Sequence, residues 1–397
     1  MKKFLLSLLI MGLLAVIRPA RAQTWTQTSA PITNLLWTSV ASSANGSQIV
    51  TVSETPTFPY IGPIYSSSDS GGTWVSNTFP SKPWTAVASS ADGTKLVSVA
   101  SSGLIYSSTN SGASWKSSLP NANWSSAASS ADGFKSVAVA TSGAIYTSIN
   151  SGDTWLLATN MVKNWRSVAS SADGNKLVAA ALNDSVYTST NSGISWISNS
   201  LPKKTWSAVT SSADGNNLAA AVGGLNLGTG TIYVSTNSGA TWTSSSAPIL
   251  AWTTLASSAD GSKLVAAVGQ LGASHTNLIF TSTNFGITWQ SNNVAAATWS
   301  SVASSADGTK LVAITTYGGI WTSQSTPSPA LNITPTNGVQ LFWIIPSTNF
   351  ILQQSFDLAT TNWSDVTNAP VLNLTNLQNQ VTLPSSNSSG FFRLKTP

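Results

Sequence analysis

One phrase recurs seven times along this chain and constrains its fold more than any other feature. The clearest copy runs Trp299-Ser-Ser-Val-Ala-Ser-Ser-Ala-Asp-Gly-Thr-Lys-Leu-Val-Ala313. The opening Trp falls at Trp37, Trp84, Trp124, Trp165, Trp206, Trp252 and Trp299, at intervals of 40 to 47 residues. A second phrase follows each copy: an apolar residue, an aromatic, then a hydroxyl-rich pair, as in Ile145-Tyr146-Thr147-Ser148. Its aromatics are Tyr65, Tyr106, Tyr146, Tyr187, Tyr233, Phe280 and Trp321. Six of these phrases continue into Asn/Asp-x-Gly-x-Ser/Thr-Trp, ending at Trp74, Trp115, Trp155, Trp196, Trp242 and Trp289. A unit of this size cannot bury its apolar faces alone and must stack on its neighbours.

Each repeat reads as four short strands. Trp-x-x-Val-Ala-Ser-Ser is the first, and Ala-Asp-Gly turns the chain because Gly tolerates positive φ and Asp bonds its own backbone. Lys-Leu-Val-Ala-Ala is the second strand and the aromatic phrase the third. Asn-Ser-Gly makes another tight turn into the fourth. Short strands at this period predict an all-β fold, a seven-bladed β-propeller of four-stranded blades. The seventh copy lacks the second turn and the fourth strand. Thr24-Trp-Thr-Gln-Thr-Ser-Ala-Pro-Ile32 matches Thr241-Trp-Thr-Ser-Ser-Ser-Ala-Pro-Ile249 almost residue for residue. The N-terminus is therefore expected to supply the missing outer strand and close the ring.

The ends of the chain read differently. Lys2 and Lys3, an apolar run from Phe4 to Ile17, and Ala20-Arg21-Ala22 have the form of a secretory signal peptide over residues 1–22. The propeller then spans 23–324, and a Pro/Ser linker 325–330. Residues 331–397 lack the repeat. Strand patterns at Val339–Trp343, Asn349–Gln354, Gln380–Leu383 and Phe391–Leu394 predict a small β-sandwich tail module. Without the leader, 13 basic residues face 12 acidic ones, a net charge of +1. That balance gives no basic surface for nucleic acid. No second apolar run is long enough to span a membrane after signal cleavage. There is no Cys, so no disulfide holds the fold.

Ser67-Ser-Asp-Ser-Gly-Gly-Thr-Trp74 resembles the Asp-box, or BNR, repeat of sialidase-like propellers. The five later copies are similar, with Asn110, Asn150, Asn191, Asn237 and Asn284 in the Asp position. The chain from Gln23 to about Ser325 resembles bacterial BNR-repeat proteins, some labelled photosystem II assembly factor-like. The resemblance implies a structural hairpin lying away from any catalytic centre. The tail, ending Phe391-Phe392-Arg393-Leu394, resembles a short Fn3-like module of exported bacterial proteins, which implies attachment or sorting at the cell exterior.

Catalytic chemistry is hard to find. Sialidase action needs an arginine cluster and a Tyr/Glu pair, yet Arg166 is the single Arg of the repeat region and Glu54 the only Glu in the chain. Glycosidases need two carboxylates about one bond, and most here sit in the Ala-Asp-Gly turns. Five of those Asp are followed by Lys three residues on, which reads as a solvated rim of balanced charge. His275, the only His, cannot build a zinc site alone. No catalytic residue, metal site or cofactor is implied. The reading is a secreted, periplasmic or cell-surface binding propeller, expected to be monomeric. Its ligand would be a neutral glycan or an extracellular protein. The alternative is a glycoside hydrolase or lyase acting on neutral polysaccharide. The long loops Ser53–Pro63, Val222–Thr231 and Gly269–Asn277 mark a variable face. Candidate ligand contacts there are Tyr60, His275 and open indole faces among Trp37, Trp84, Trp124, Trp165, Trp206, Trp252 and Trp299.

Overall fold

The computed structural model describes residues 24–32, 34–77, 79, 81–224, 228–269, 278–292, 294, 297–325, 331–335, 338–344, 351–356, 362–373, 377–384 and 391–395. The leader over 1–22, His275 and most of the loop carrying it lie outside them. Every regular element among the described residues is a β-strand.

Each repeat forms an antiparallel meander whose strands pair in sequence order. The second repeat shows the pattern in Trp84–Ser89, Leu96–Ala100, Gly103–Ser108 and Lys116–Ala122. Other meanders begin at Leu36, Trp124, Trp165, Lys204 and Trp252. Those beginning at Trp165 and Lys204 are joined into one eight-stranded sheet, where Leu182 lies opposite Thr205 and Asp184 opposite Lys204. The last meander, Trp299–Ser304, Lys310–Thr315 and Ile320–Gln324, takes its outer strand from the start of the chain. Trp25–Gln27 runs antiparallel to Ile320–Gln324, with Trp25 opposite Ser323.

Burial grades from the axis outward. The second strands, such as Leu96–Ala100 and Leu264–Val268, are buried at every position, so both faces of the sheet are covered and the strand reads as a continuous run of small apolar residues. Outer strands such as Val75–Ser76 and Ile197–Ser198 are exposed throughout. Between these extremes, the opening Trp of each repeat meets the third-strand aromatic edge-on. Seven such pairs, from Trp84–Tyr106 at 5.0 Å between centroids to Trp299–Trp321 at 6.4 Å, recur once per repeat. This is the arrangement that the aromatic quadrupole favours over face-to-face stacking.

The repeats are tied together at the six Ala-Asp-Gly turns and their counterpart in the first repeat, Ala44-Asn45-Gly46. The N–H of Ala44 donates to the carbonyl of Ala91, Ala91 to Ala131, Ala131 to Ala172, Ala172 to Ala213, Ala213 to Ala259 and Ala259 to Ala306. The N–H of Ala306 then returns to the carbonyl of Ala44. All seven distances are 2.7 or 2.8 Å, and the circle has no free end. A second set of bonds lies along the first strands, where a hydroxyl two residues after the Trp accepts an N–H from the next repeat. Ser39 takes Val87, Ser126 takes Val168, Ser167 takes Val209, Thr254 takes Val302 and Ser301 takes Val40. The last of these joins the final repeat to the first. Where the repeat has Ala86 or Ala208 instead, there is no hydroxyl to accept.

The lysines after the turns correct the solvated-rim expectation. Each reaches forward to the next repeat. Lys95 donates to the Asp132 carbonyl, Lys135 and Lys176 to Asn175 and Asn216, Lys263 to the Asp307 carbonyl, and Lys310 to Ser70. Asn217 serves in place of Lys by donating to the Asp260 carbonyl. These side chains are staples between repeats.

Beyond residue 325 lie two further sheets. One orders Asn332–Pro335, Gly338–Ile344, Gln378–Pro384 and Val371–Asn373, and the other Ser364–Asp365, Ile351–Ser355 and Phe391–Lys395. Leu341, Trp343, Leu352 and Val381, drawn from both sheets, form one buried cluster. The sequence patterns located four of these strands and missed the three short ones.

Deleting residues 24–32 removes the outer strand of the last meander and exposes the edge of Ile320–Gln324. The expected outcome is loss of a single cooperative transition in scanning calorimetry, or aggregation. A truncated chain that melts like the full one would contradict the closing role of that strand.

Candidate functional site

In the six meanders that have two tight turns, both turns lie on one face. Lys135 bonds Asn175 in one turn and Ser192 in the other, and Lys176 does the same with Asn216 and Ser238. The loops joining second to third strands, and the crossings between repeats, lie on the opposite face.

Most polar side chains of the turns are engaged within the protein. In the first turn a Ser hydroxyl bonds the Asp carboxylate and accepts the N–H five residues on. Ser90 thus bonds Asp92 and Lys95, and Ser171 bonds Asp173 and Lys176. Burial works to raise the Asp92 and Asp173 carboxyls, but these hydrogen bonds, with Lys95 and Lys135 nearby, leave both below the usual range. In the second turn Asp69 accepts from the Thr73 N–H, the Thr73 hydroxyl and Ser67, while Trp74 Nε1 caps the Gly71 carbonyl. Asn110 makes the same bonds, with its amide donating to Ser114. Asn therefore replaces Asp without loss of the turn.

The opposite face does not carry an indole platform. Trp37, Trp84, Trp124, Trp165, Trp206, Trp252 and Trp299 are 0 or 1% exposed, so the proposed stacking contacts are corrected. Each ring is packed against its third-strand aromatic and the preceding repeat. Several spend their N–H on a backbone carbonyl: Trp84 on Gly62, Trp124 on Gly103, Trp206 on Asp184 and Trp252 on Pro248. Tyr60 is exposed as expected, at 51%.

Sequence reasoning missed three features of this face. Phe58 is 84% exposed and meets Tyr60 edge-on at 6.2 Å. Tyr317, 66% exposed, sits on the corresponding loop of the last meander, which neighbours the first around the ring. Arg166 occupies a position where the other six repeats have Ser or Thr. Those hydroxyls donate to the carbonyl of the paired second strand, as Thr85 does to Val99 and Ser207 to Ala221, whereas Arg166 is exposed. The aromatic pair could have been found from Phe58-Pro59-Tyr60 in a long loop. The arginine could have been found by aligning the repeats.

Two carboxylates lie on this face among the described residues, Asp184 and Glu54. Asp184 bonds Lys163 at 2.6 Å and the Ser185 N–H, with Lys203 at 4.0 Å. Burial opposes its charge, but these partners hold its carboxyl below the ordinary value. Lys163 is raised by its bonds to Asp184 and Tyr187. Glu54, half-buried at the end of its strand, is pushed up by burial. Among the described residues no group of three His, Cys, Asp or Glu could hold a metal ion. No described helix is long and apolar enough to cross a membrane.

Solved structures give the arrangement its class. YCF48 from Cyanidioschyzon merolae superposes with a TM-score of 0.56 at 15% identity, covering 77% of this chain and 99% of that one. YCF48 bound to D1 peptide gives 0.56 at 16%, covering 77% and 98%. The fold is a β-propeller. A GH74 enzyme from Niastella koreensis also matches, with a TM-score of 0.55 at 19% identity. It covers 74% of this chain, which spans only 44% of that enzyme. No family model matches this propeller, and no curated protein matches it.

Asp69 gives the turn face a pH signature. Its carboxyl is held at about 2, against 3.8 ordinarily, by the Thr73 N–H first, then the Thr73 and Ser67 hydroxyls. A depressed folded value stabilises the fold above the unfolded value, and that contribution is lost as pH falls from about 4 to about 2. Asp69→Asn, the residue of the other five turns, is expected to keep the fold and flatten the fall of melting temperature across that window. An acid slope identical to wild type would contradict the assignment.

Proposed function

We propose that this chain is a non-catalytic binding propeller of seven blades, six of them carrying an Asp-box turn. It carries a β-sandwich tail, acts outside the cytoplasm, and binds an extended protein segment on the variable-loop face. The carrying observation is the solvent-exposed aromatic set of Phe58, Tyr60 and Tyr317 on the loops of two neighbouring blades. Uncharged aromatic rings at a loop surface recognise apolar side chains and tolerate backbone polarity, and such residues dominate binding energy at protein interfaces. A neighbour of the same fold is described with a bound peptide, which supports this class of ligand. The weak charge of the mature chain fits a partner without a strongly charged surface.

Burial of the seven indoles removes the main ground for a glycan ligand. The hydrolase reading is also weakened, because nearly all the described carboxylates are engaged. The turn aspartates bond their own turns, Asp153 pairs with Lys116, Asp184 with Lys163, and Asp365 with Gln353. That leaves Glu54, and two-carboxylate hydrolysis needs a pair. Asp357 lies outside the described residues.

A peptide array and a neutral-glycan array probed with labelled protein would separate these ligand classes. The expected outcome is peptide binding enriched in aromatic and aliphatic side chains. It should fall about tenfold or more in the Phe58→Ala/Tyr60→Ala double variant, with melting temperature unchanged. Glycan binding without peptide binding would overturn the proposal.

A further inference from the structure

The alanine ring encloses a cavity of about 160 Å³ on the turn face. Each repeat contributes to its wall, from Ser42 and Ala44 round to Ser304 and Ala306. The outer serines have their hydroxyl protons committed locally. Ser42, Ser89 and their equivalents each donate their hydroxyl to the carbonyl of the following Ser. The ring alanines have spent their N–H and carbonyl groups on one another. The wall mixes engaged hydroxyls with a ring of alanine methyl groups, and those methyl groups are what an aliphatic side chain can pack against.

One residue from outside the repeats reaches this cavity. Leu377, at the start of strand Gln378–Pro384, lines it and packs against the buried alanine cluster of Ala44, Ala131, Ala172, Ala213, Ala259 and Ala306. Leu377 adopts φ +54, a left-handed conformation that Gly or Asn takes readily and a bulky side chain does not. The backbone of this turn would be better served by another residue, so the leucine side chain is what the position uses. The chain also leaves the propeller on this same face. Ser325 donates both its N–H and its hydroxyl to the carbonyl of Thr309, in the last Ala-Asp-Gly turn. From there five residues lead to Leu331, a tether that spans roughly 20 Å when extended.

We propose that the alanine ring around the axial cavity is the docking platform for the C-terminal sheets, and that Leu377 is the aliphatic contact that seats them there. The C-terminal sheets then cap the turn face of the propeller and leave the variable-loop face as the side open to a partner. The proposal stands whether that partner is a peptide or a glycan.

Leu377→Gly and Leu377→Asn test it in the full chain, because both suit the left-handed turn and neither supplies an aliphatic contact with the alanine ring. Small-angle scattering is expected to show a larger maximum dimension for both, by an increment on the order of 10 Å that the short tether permits. The propeller melting transition should not move, and Leu377→Met, which conserves volume, should scatter like wild type. If Leu377→Gly and Leu377→Asn both scatter indistinguishably from wild type, Leu377 is an ordinary turn residue and the proposal is overturned. Expansion of Leu377→Met equal to that of Leu377→Gly would also overturn it, since aliphatic contact with the alanine ring would then not be what seats the sheets.

Discussion

Everything in this molecule depends on a circle of seven backbone hydrogen bonds. Each alanine that opens a first tight turn, Ala-Asp-Gly in six repeats and Ala44-Asn45-Gly46 in the first, donates to the next, and the last donates back to the first. One such bond contributes only about 0.5–1.5 kcal/mol net, so the circle is not strong because of any member. Its importance is geometric. A closed circle fixes how far each repeat is rotated from its neighbour, and that rotation sets how the Trp–Tyr pairs and the small residues of the second strands meet between repeats. A stack of repeats left open would expose one apolar interface. Here Trp25–Gln27 pairs with the last meander, and Ser301 and Ala306 both bond the first repeat. The seam is bonded in the same way as the repeat interfaces that continuous chain joins.

Much of this was legible in the sequence because it is periodic. The seven Trp phrases fixed the meander, and the match between residues 24–32 and 241–249 located the closing strand. The seven third-strand aromatics are the ones that meet the indoles edge-on. Other features escaped a linear reading for physical reasons. A Trp that opens a strand near the axis can face solvent or the preceding repeat, and strand alternation alone does not say which. The decision rests on contacts with residues 20 or more positions away, such as Gly62 beside Trp84. The lysine three residues after five of the turn aspartates reads as part of a solvated rim, yet its bond goes to the next repeat around the ring, for Lys310 back to Ser70 of the first. Leu377 carries no sequence signal of its own role, since its partner is a cavity shared by all the repeats.

The two faces divide the chemistry. On the turn face, serine, aspartate, asparagine and lysine are consumed in holding turns and joining repeats, and the axial cavity is met by Leu377. On the loop face the repeats diverge, with exposed aromatics on Phe58, Tyr60 and Tyr317, a lysine-rich cluster around Asp184, and Arg166 in a position otherwise held by a hydroxyl. Identical turns serve the scaffold, while differences between loops are available for recognition. A chain with so few charges can still be specific if shape and aromatic contact do the selecting.

Amide hydrogen exchange at the seven ring alanines, Ala44, Ala91, Ala131, Ala172, Ala213, Ala259 and Ala306, tests the closed circle most directly. If the circle closes cooperatively, all seven amides exchange at one common slow rate set by global unfolding. Graded protection, with Ala306 and Ala44 at the seam exchanging fastest, would contradict closure and describe an open stack of repeats instead.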